Sequence, residues 1–257
     1  MGNRSNEDLP VRRVRQYSLI ALNIVAFHVP GIWLFFFLLF PKQGDGGVSE
    51  ALFNVLLVVF WGGTHSIMAR KFFRNFLGRL VGEDFVKLAF TVIAGITQCV
   101  MLICWRPLAG VLWHAQGLAY WVLAFLFACA FGAVLYCSIL LDYMEVLGVR
   151  KIIRHFQGKQ DPAPTLCLKG PYRHCRHPVY LATVASLWIG PVMTRGRLEF
   201  AFLVTAYVLI GTWLEERDTR REMGDSYDRY RAGVPMWLPR LKPWKEAESN
   251  LATPRGR

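Results

Sequence analysis

The chain has 257 residues, 54% of them hydrophobic and 14% aromatic, and its 30 Lys and Arg against 18 Asp and Glu leave a net charge of +12. With only 19% charged residues and a mean hydropathy of +0.29, an ordinary soluble globule is excluded. The apolar content, with no Gly or Pro period, also excludes a disordered chain, a collagen-like repeat and a secreted disulfide scaffold.

Crossing about 30 Å of hydrocarbon takes roughly 20 mostly apolar residues. Apolar runs predict spans at 17–40, 48–69, 85–105, 117–141, 179–194 and 197–214. The fifth run is short. It either crosses with little tilt or forms a hairpin with the sixth that does not fully cross, so the expected fold is an all-α, polytopic transmembrane helical bundle of five or six spans. The first run is too long for a signal-peptide core and no small-residue cleavage site follows it, so it reads as an uncleaved span. On six spans, all Lys and Arg except Lys42, Arg106, Arg195 and Arg197 fall on one side. By the positive-inside rule that side is cytoplasmic, with both termini. The basic excess therefore sorts by membrane side, and a lipid bilayer rather than nucleic acid is the expected partner. The chain divides into an N-terminal segment 1–16, four spans over 17–141, a region 142–244 that carries the chemistry, and a polar, loose tail 245–257.

In chain order, the first candidates are His28 and His65. Their places in spans one and two differ in depth by roughly 10 Å, which argues against joint haem ligation. His65-Ser66 either lines a polar pocket or satisfies a helix end. The six cysteines form no Cys-x-x-Cys pair and read as small apolar residues, and no metal site is expected.

The densest motif is Gly170-Pro171-Tyr172-Arg173-His174-Cys175-Arg176-His177-Pro178-Val179-Tyr180. Pro178 suits the first position of a helix and His177 its cap. Such a helix start, rimmed by Arg173 and Arg176, is either an anion site or a basic anchor at lipid headgroups. Glu215-Glu216-Arg217-Asp218 follows the last apolar run directly. Two acids at a helix C-terminus oppose its dipole, so a cation is expected beside them, either Arg220 at i+4 or a cationic ligand. Tyr227, Tyr230 and Arg231 share one face of a short C-terminal cytoplasmic helix that ends at Gly233 and Pro235. That face suits a binding site and a headgroup surface alike.

The Tyr-Arg-x-x-Arg-His-Pro-x-Tyr segment, the short hairpin, the Glu-Glu pair and the Tyr-x-x-Tyr tail closing in Val234-Pro235 and Pro239 occur in one order. Together they resemble the integral-membrane methyltransferases, among them the isoprenylcysteine carboxyl methyltransferases and the phospholipid methyltransferases. Residues 191–201, Thr205-Ala206-Tyr207 and Glu215-Glu216-Arg217-Asp218 most resemble the bacterial methanethiol S-methyltransferases, with a weaker likeness over 142–150. That family tends to carry His where this chain has Tyr143 and Leu where it has Thr219. The resemblance implies a bacterial inner membrane and S-adenosylmethionine as methyl donor at its cytoplasmic face, which fits the lack of a Gly-rich dinucleotide fingerprint. It implies Tyr172, Arg173, Arg176, His177, Pro178, Tyr180, Glu215 and Glu216 around the cofactor, the α-helix start receiving its carboxylate and the acids its cationic portion. It further implies a small thiol acceptor, methanethiol becoming dimethyl sulfide, with Glu216 or a bound water to take the thiol proton and Arg217 or Arg231 to hold the thiolate or the cofactor by charge. The rival readings are methylation of a prenylcysteine carboxylate or a phospholipid amine, and a non-catalytic membrane protein that binds haem or quinone through His28, His65 and His114.

Overall fold

The computed structural model describes residues 9–162 and 165–245; residues 1–8 of the N-terminal segment and 246–257 of the 245–257 tail lie outside them. Five helices are long and apolar enough to cross a membrane: α1 (Leu9–Leu39), α2 (Val48–Met68), α4 (Val86–Cys104), α5 (Gly117–Leu140) and α9 (Arg195–Met223). Between them lie α3 (Lys71–Val81), α6 (Tyr143–Val146), α7 (Val149–Gln157) and α8 (Pro178–Trp188), and α10 (Asp225–Gly233) closes the chain.

The fifth predicted span is α8, whose 11 residues reach only about 16 Å at 1.5 Å each. The last three residues of that run, Val192–Thr194, form strand β2, antiparallel to β1 (Val111–His114). Arg197, 2% exposed, fixes this corner. Its Nη1 donates to the Val192 carbonyl at 2.8 Å and its Nη2 to the Ile189 carbonyl at 2.6 Å, pairing a charge that would otherwise be costly to bury. The α8–α9 unit is thus a hairpin with one short arm.

The core joins Leu38 of α1, Leu57 and Val58 of α2, Met101 and Leu102 of α4, Phe127 of α5, Leu187 of α8 and Phe200, Val204 and Val208 of α9. Outside it, Trp121, Phe125, Phe202 and Ile210 stand exposed, the inversion expected when the surroundings are lipid. Close helix approach depends on small residues. A Cβ on Gly95 of α4 would lie 2.2 Å from the Ala26 carbonyl of α1, an acceptor freed because Pro30 has no N–H to give it.

One end of the bundle gathers α3, α6, α7, α10 and the basic segments. The opposite end holds β1, β2 and the loops around Lys42, Arg106 and Arg195. α3 is amphipathic, with Phe72, Phe76 and Leu80 exposed at i, i+4 and i+8 between Lys71, Arg74 and Arg79. At eleven residues it is too short for a span, and a search for spans passes it by.

Candidate active site

Three pieces of chain meet at the basic end: the start of α8, the last third of α9, and α10 with the segment that follows it. α9 has 29 residues, about 43 Å at 1.5 Å per residue, more than the hydrocarbon needs. Its last turns therefore project beyond the apolar layer with Glu215 and Glu216 in mid-helix. This corrects the reading from sequence, which stopped the helix at Leu214 and set both acids against its C-terminal dipole.

The expected cation is present, but it is not Arg220, which pairs with Asp228 at 2.9 Å. Arg176 grips Glu216 as a fork, Nε to Oε1 at 2.8 Å and Nη2 to Oε2 at 2.9 Å, the geometry that makes Arg–carboxylate pairs strong. His177 Nε2 meets Oε1 at 2.7 Å and the Tyr227 hydroxyl donates to it at 2.6 Å, while Arg231 Nε stands 3.7 Å from Oε2. Arg176, His177 and Glu216 are 7%, 8% and 11% exposed. Arg176 Nη1 also donates to the Val234 carbonyl at 2.5 Å. Glu216 is the pin of a clamp that ties α8, α9, α10 and the following segment together.

His177 holds the cap position of α8 and Pro178 its first turn, as the motif predicts, but the imidazole makes no capping bond because it turns to Glu216. The N–H groups of Arg176 and His177 donate to the Pro235 and Met236 carbonyls at 2.9 and 3.3 Å. Tyr227 and Tyr230 are buried against Leu166, Leu168 and Trp244. Their face packs on protein rather than on headgroups. Burial raises the hydroxyl pKa of Tyr172, Tyr227 and Tyr230 well above the tyrosine norm, for Tyr227 with the Glu216 carboxylate adding to it.

Beside the clamp, a cleft of about 800 Å³ opens between α2, α3, α8 and α9. Its α9 wall is one helical face, Tyr207, Gly211, Glu215, Asp218 and Glu222, spaced by three and four residues. Tyr180 of α8 and His65, Ser66 and Arg70 of α2 and its end complete the walls, and Lys71, Arg74, Arg217 and Arg221 ring the mouth. Arg70 pairs with Asp218 at 2.8 Å and Arg74 with Glu222 at 3.8 Å. Glu215 Oε2 accepts the Tyr180 hydroxyl at 2.5 Å. Among the described residues no Lys, Arg or His pairs with it.

Of the residues singled out from sequence, Tyr180, Glu215 and Arg217 stand on the cleft, and Arg176, His177, Glu216 and Arg231 form the clamp behind it. Tyr172 and Arg173 turn elsewhere. The Tyr172 hydroxyl donates to the Cys137 carbonyl of α5 at 3.3 Å, and Arg173 Nε donates to the Trp244 carbonyl at 2.9 Å. Arg173 and Pro178 border a separate groove of about 690 Å³ along Ala130, Ala133 and Ala182. His28 is not placed for a metal or haem, since its ring nitrogens meet the Ile24 carbonyl at 2.7 Å and the Tyr143 hydroxyl at 2.6 Å. His114 lies in β1 at the opposite end. Sequence reasoning missed Arg70 and Tyr207 as parts of one site; the face 207, 211, 215, 218 carried the signal for Tyr207, while Arg70 needed the fold.

The chain is 30% identical over 209 residues to methanethiol S-methyltransferase 1 of Bradyrhizobium diazoefficiens, covering 79% of this chain and 73% of the relative. It is also 30% identical over 208 residues to methanethiol S-methyltransferase of Mycobacterium tuberculosis, covering 77% and 84%. Nurim of Sus scrofa is 32% identical over 176 residues, 64% of this chain and 66% of the relative. No family model matches the chain, and no solved structure matches it.

Proposed function

Because the chain belongs to the family of the methanethiol S-methyltransferases, we propose that this integral membrane protein transfers a methyl group from S-adenosylmethionine to methanethiol, releasing dimethyl sulfide. The cleft beside Glu215 is the site, and its basic end faces the cytoplasm, with both termini, by the positive-inside rule. The observation that carries this reading is Glu215, a carboxylate on the wall of a ligand-sized cleft without a cationic partner among the described residues.

The residues present suit this donor. Glu215, braced by Tyr180, would hold its cationic portion, and Lys71, Arg74 and Arg217 at the mouth would receive its carboxylate. Tyr180 and Tyr207 offer aromatic faces to a sulfonium. When bound, S-adenosylmethionine supplies an electrophilic methyl group. The chain's part is to orient the acceptor in line with that group and to keep water away from it. A thiolate and a sulfonium lose their charges as they react, so the apolar base around Val208 and Gly211 favours the less charged transition state. The Glu216 clamp, in this reading, sets the distance between α8 and α9 and so the width of the cleft.

The experiment gives the detergent-purified protein S-adenosylmethionine and methanethiol and follows dimethyl sulfide by headspace gas chromatography, with a Glu215→Gln variant alongside. Dimethyl sulfide from the native protein, with cofactor affinity at least about tenfold weaker in the variant, is the expected result. Cofactor binding without dimethyl sulfide would discard the thiol, and no binding would discard the methyltransferase reading.

A further inference from the structure

Methyl transfer to an alkanethiol needs a group that takes the thiol proton, and the clamp does not supply one. Both oxygens of Glu216 are engaged by Arg176, His177 and Tyr227. On the cleft wall Asp218 and Glu222 are paired with Arg70 and Arg74. Glu215 accepts from Tyr180 and, in the proposed reading, is taken up by the cationic portion of the cofactor.

His65 is different. It lines the same cleft as Tyr180, Tyr207 and Glu215. Neither of its ring nitrogens has a hydrogen-bond partner among the described residues, and Nδ1 is fully buried. One turn deeper on the same face of α2, Trp61 Nε1 is likewise buried and unpartnered, its ring 6.1 Å from the imidazole. Buried polar atoms are nearly always paired, so two orphans on one helix face call for an explanation. The imidazole is held in place by apolar and aromatic contacts, Phe90 at 4.8 Å edge-on and Tyr207 at 6.4 Å, which orient a ring without spending its nitrogens.

Resting on the proposed methyltransferase activity, we infer that His65 is the general base of the reaction and that α2 forms the acceptor's side of the cleft. The thiol S–H proton passes to the imidazole Nε2, the ring nitrogen that is not enclosed, while Nδ1 stays buried. The sulfur's electron pair forms the new S–CH3 bond as the methyl–sulfonium bond breaks, its pair remaining on the departing thioether. The proton then leaves His65 for water at the charged mouth. A neutral imidazole suits this task at physiological pH.

The test measures kcat/KM for methanethiol from about pH 6.5 to 9 in the native protein and in His65→Gln and His65→Asn, with S-adenosylmethionine binding followed by calorimetry. The ionisable groups that share the cleft with His65 are Tyr180, Tyr207, Glu215, Asp218 and Glu222, with Arg70, Lys71, Arg74, Arg217 and Arg221; all are retained in the variants. At neutral pH the variants should lose about 10²- to 10³-fold. Their rates should then climb about tenfold per pH unit as solvent ionises the thiol, closing on a flatter native profile, while cofactor affinity stays unchanged. A variant as fast as native at neutral pH, or a loss that does not recover with pH, would overturn the assignment. So would loss of cofactor binding in both variants, which would make His65 structural. A native protein that makes no dimethyl sulfide overturns the proposed activity itself, a failure visible before any variant is measured.

Discussion

Adjacent residues of α9 carry the same charge and do different work. Glu216 faces a buried guanidinium, so Glu216→Gln leaves Arg176 charged, 7% exposed and half-answered, which costs about 3–5 kcal/mol in such pairs. Thermal melts in detergent should show that loss. Tyr227→Phe, which removes one donor to the same carboxylate, should cost only about 1 kcal/mol. Glu215→Gln should leave the melt nearly unchanged and weaken cofactor binding instead. Equal melting losses for the two Gln variants would show that Glu216 is not the pin. The buried tyrosines set a pH limit. Tyr172, Tyr227 and Tyr230 hold their protons more tightly folded than unfolded, so their contribution is complete below the unfolded value of about 10. It is lost as pH rises past that value toward the higher folded ones. Melting temperatures should therefore hold through neutrality and fall above about pH 10.

At the scale of elements, helix length and helix spacing carry the consequences. The excess length of α9 lifts Glu215 and Glu216 out of the apolar layer while the helix still frames the core through Phe200 and Val204. The short α8 begins level with those acids because its hairpin closes on β2 and Arg197 rather than at a full crossing. Arg197→Lys should destabilise this corner by about 1–3 kcal/mol, since one ammonium cannot answer both carbonyls that the guanidinium reaches. Gly95→Val should cost about as much or more, because α1 and α4 cannot part without opening the core. Melts of either variant that match the native protein would contradict this account of the packing.

For the whole molecule, charge and apolar surface agree on one arrangement. The bundle shows its oily side chains outward, and its basic segments collect with α3, α7 and α10 at the end where the cleft opens. A cysteine at Lys42 should react with a membrane-impermeant maleimide on intact cells, and a cysteine at Asp225 only after lysis. The reverse pattern would turn the protein over and place the cleft outside.

The sequence by itself determined the solvent and the class of fold. Apolar runs of spanning length and the sorting of Lys and Arg depend on composition alone, and the five long helices follow from them. It also marked chain segments that the fold brings together as the candidate site, since Arg176-His177 and Glu215-Glu216 stand out against their surroundings. Only the tertiary structure decided what each residue does there. Whether Arg176 or Arg220 answers Glu216, whether His177 caps its helix or turns away, and whether Tyr172 faces the cleft or α5 are contacts between segments far apart in the chain. Local spacing fixes the face of a helix, but not which distant helix that face will meet. The division of labour between Glu215 and Glu216 is of the same kind. Neighbours in a helix point about 100° apart, and packing alone assigned one to the clamp and the other to the cleft.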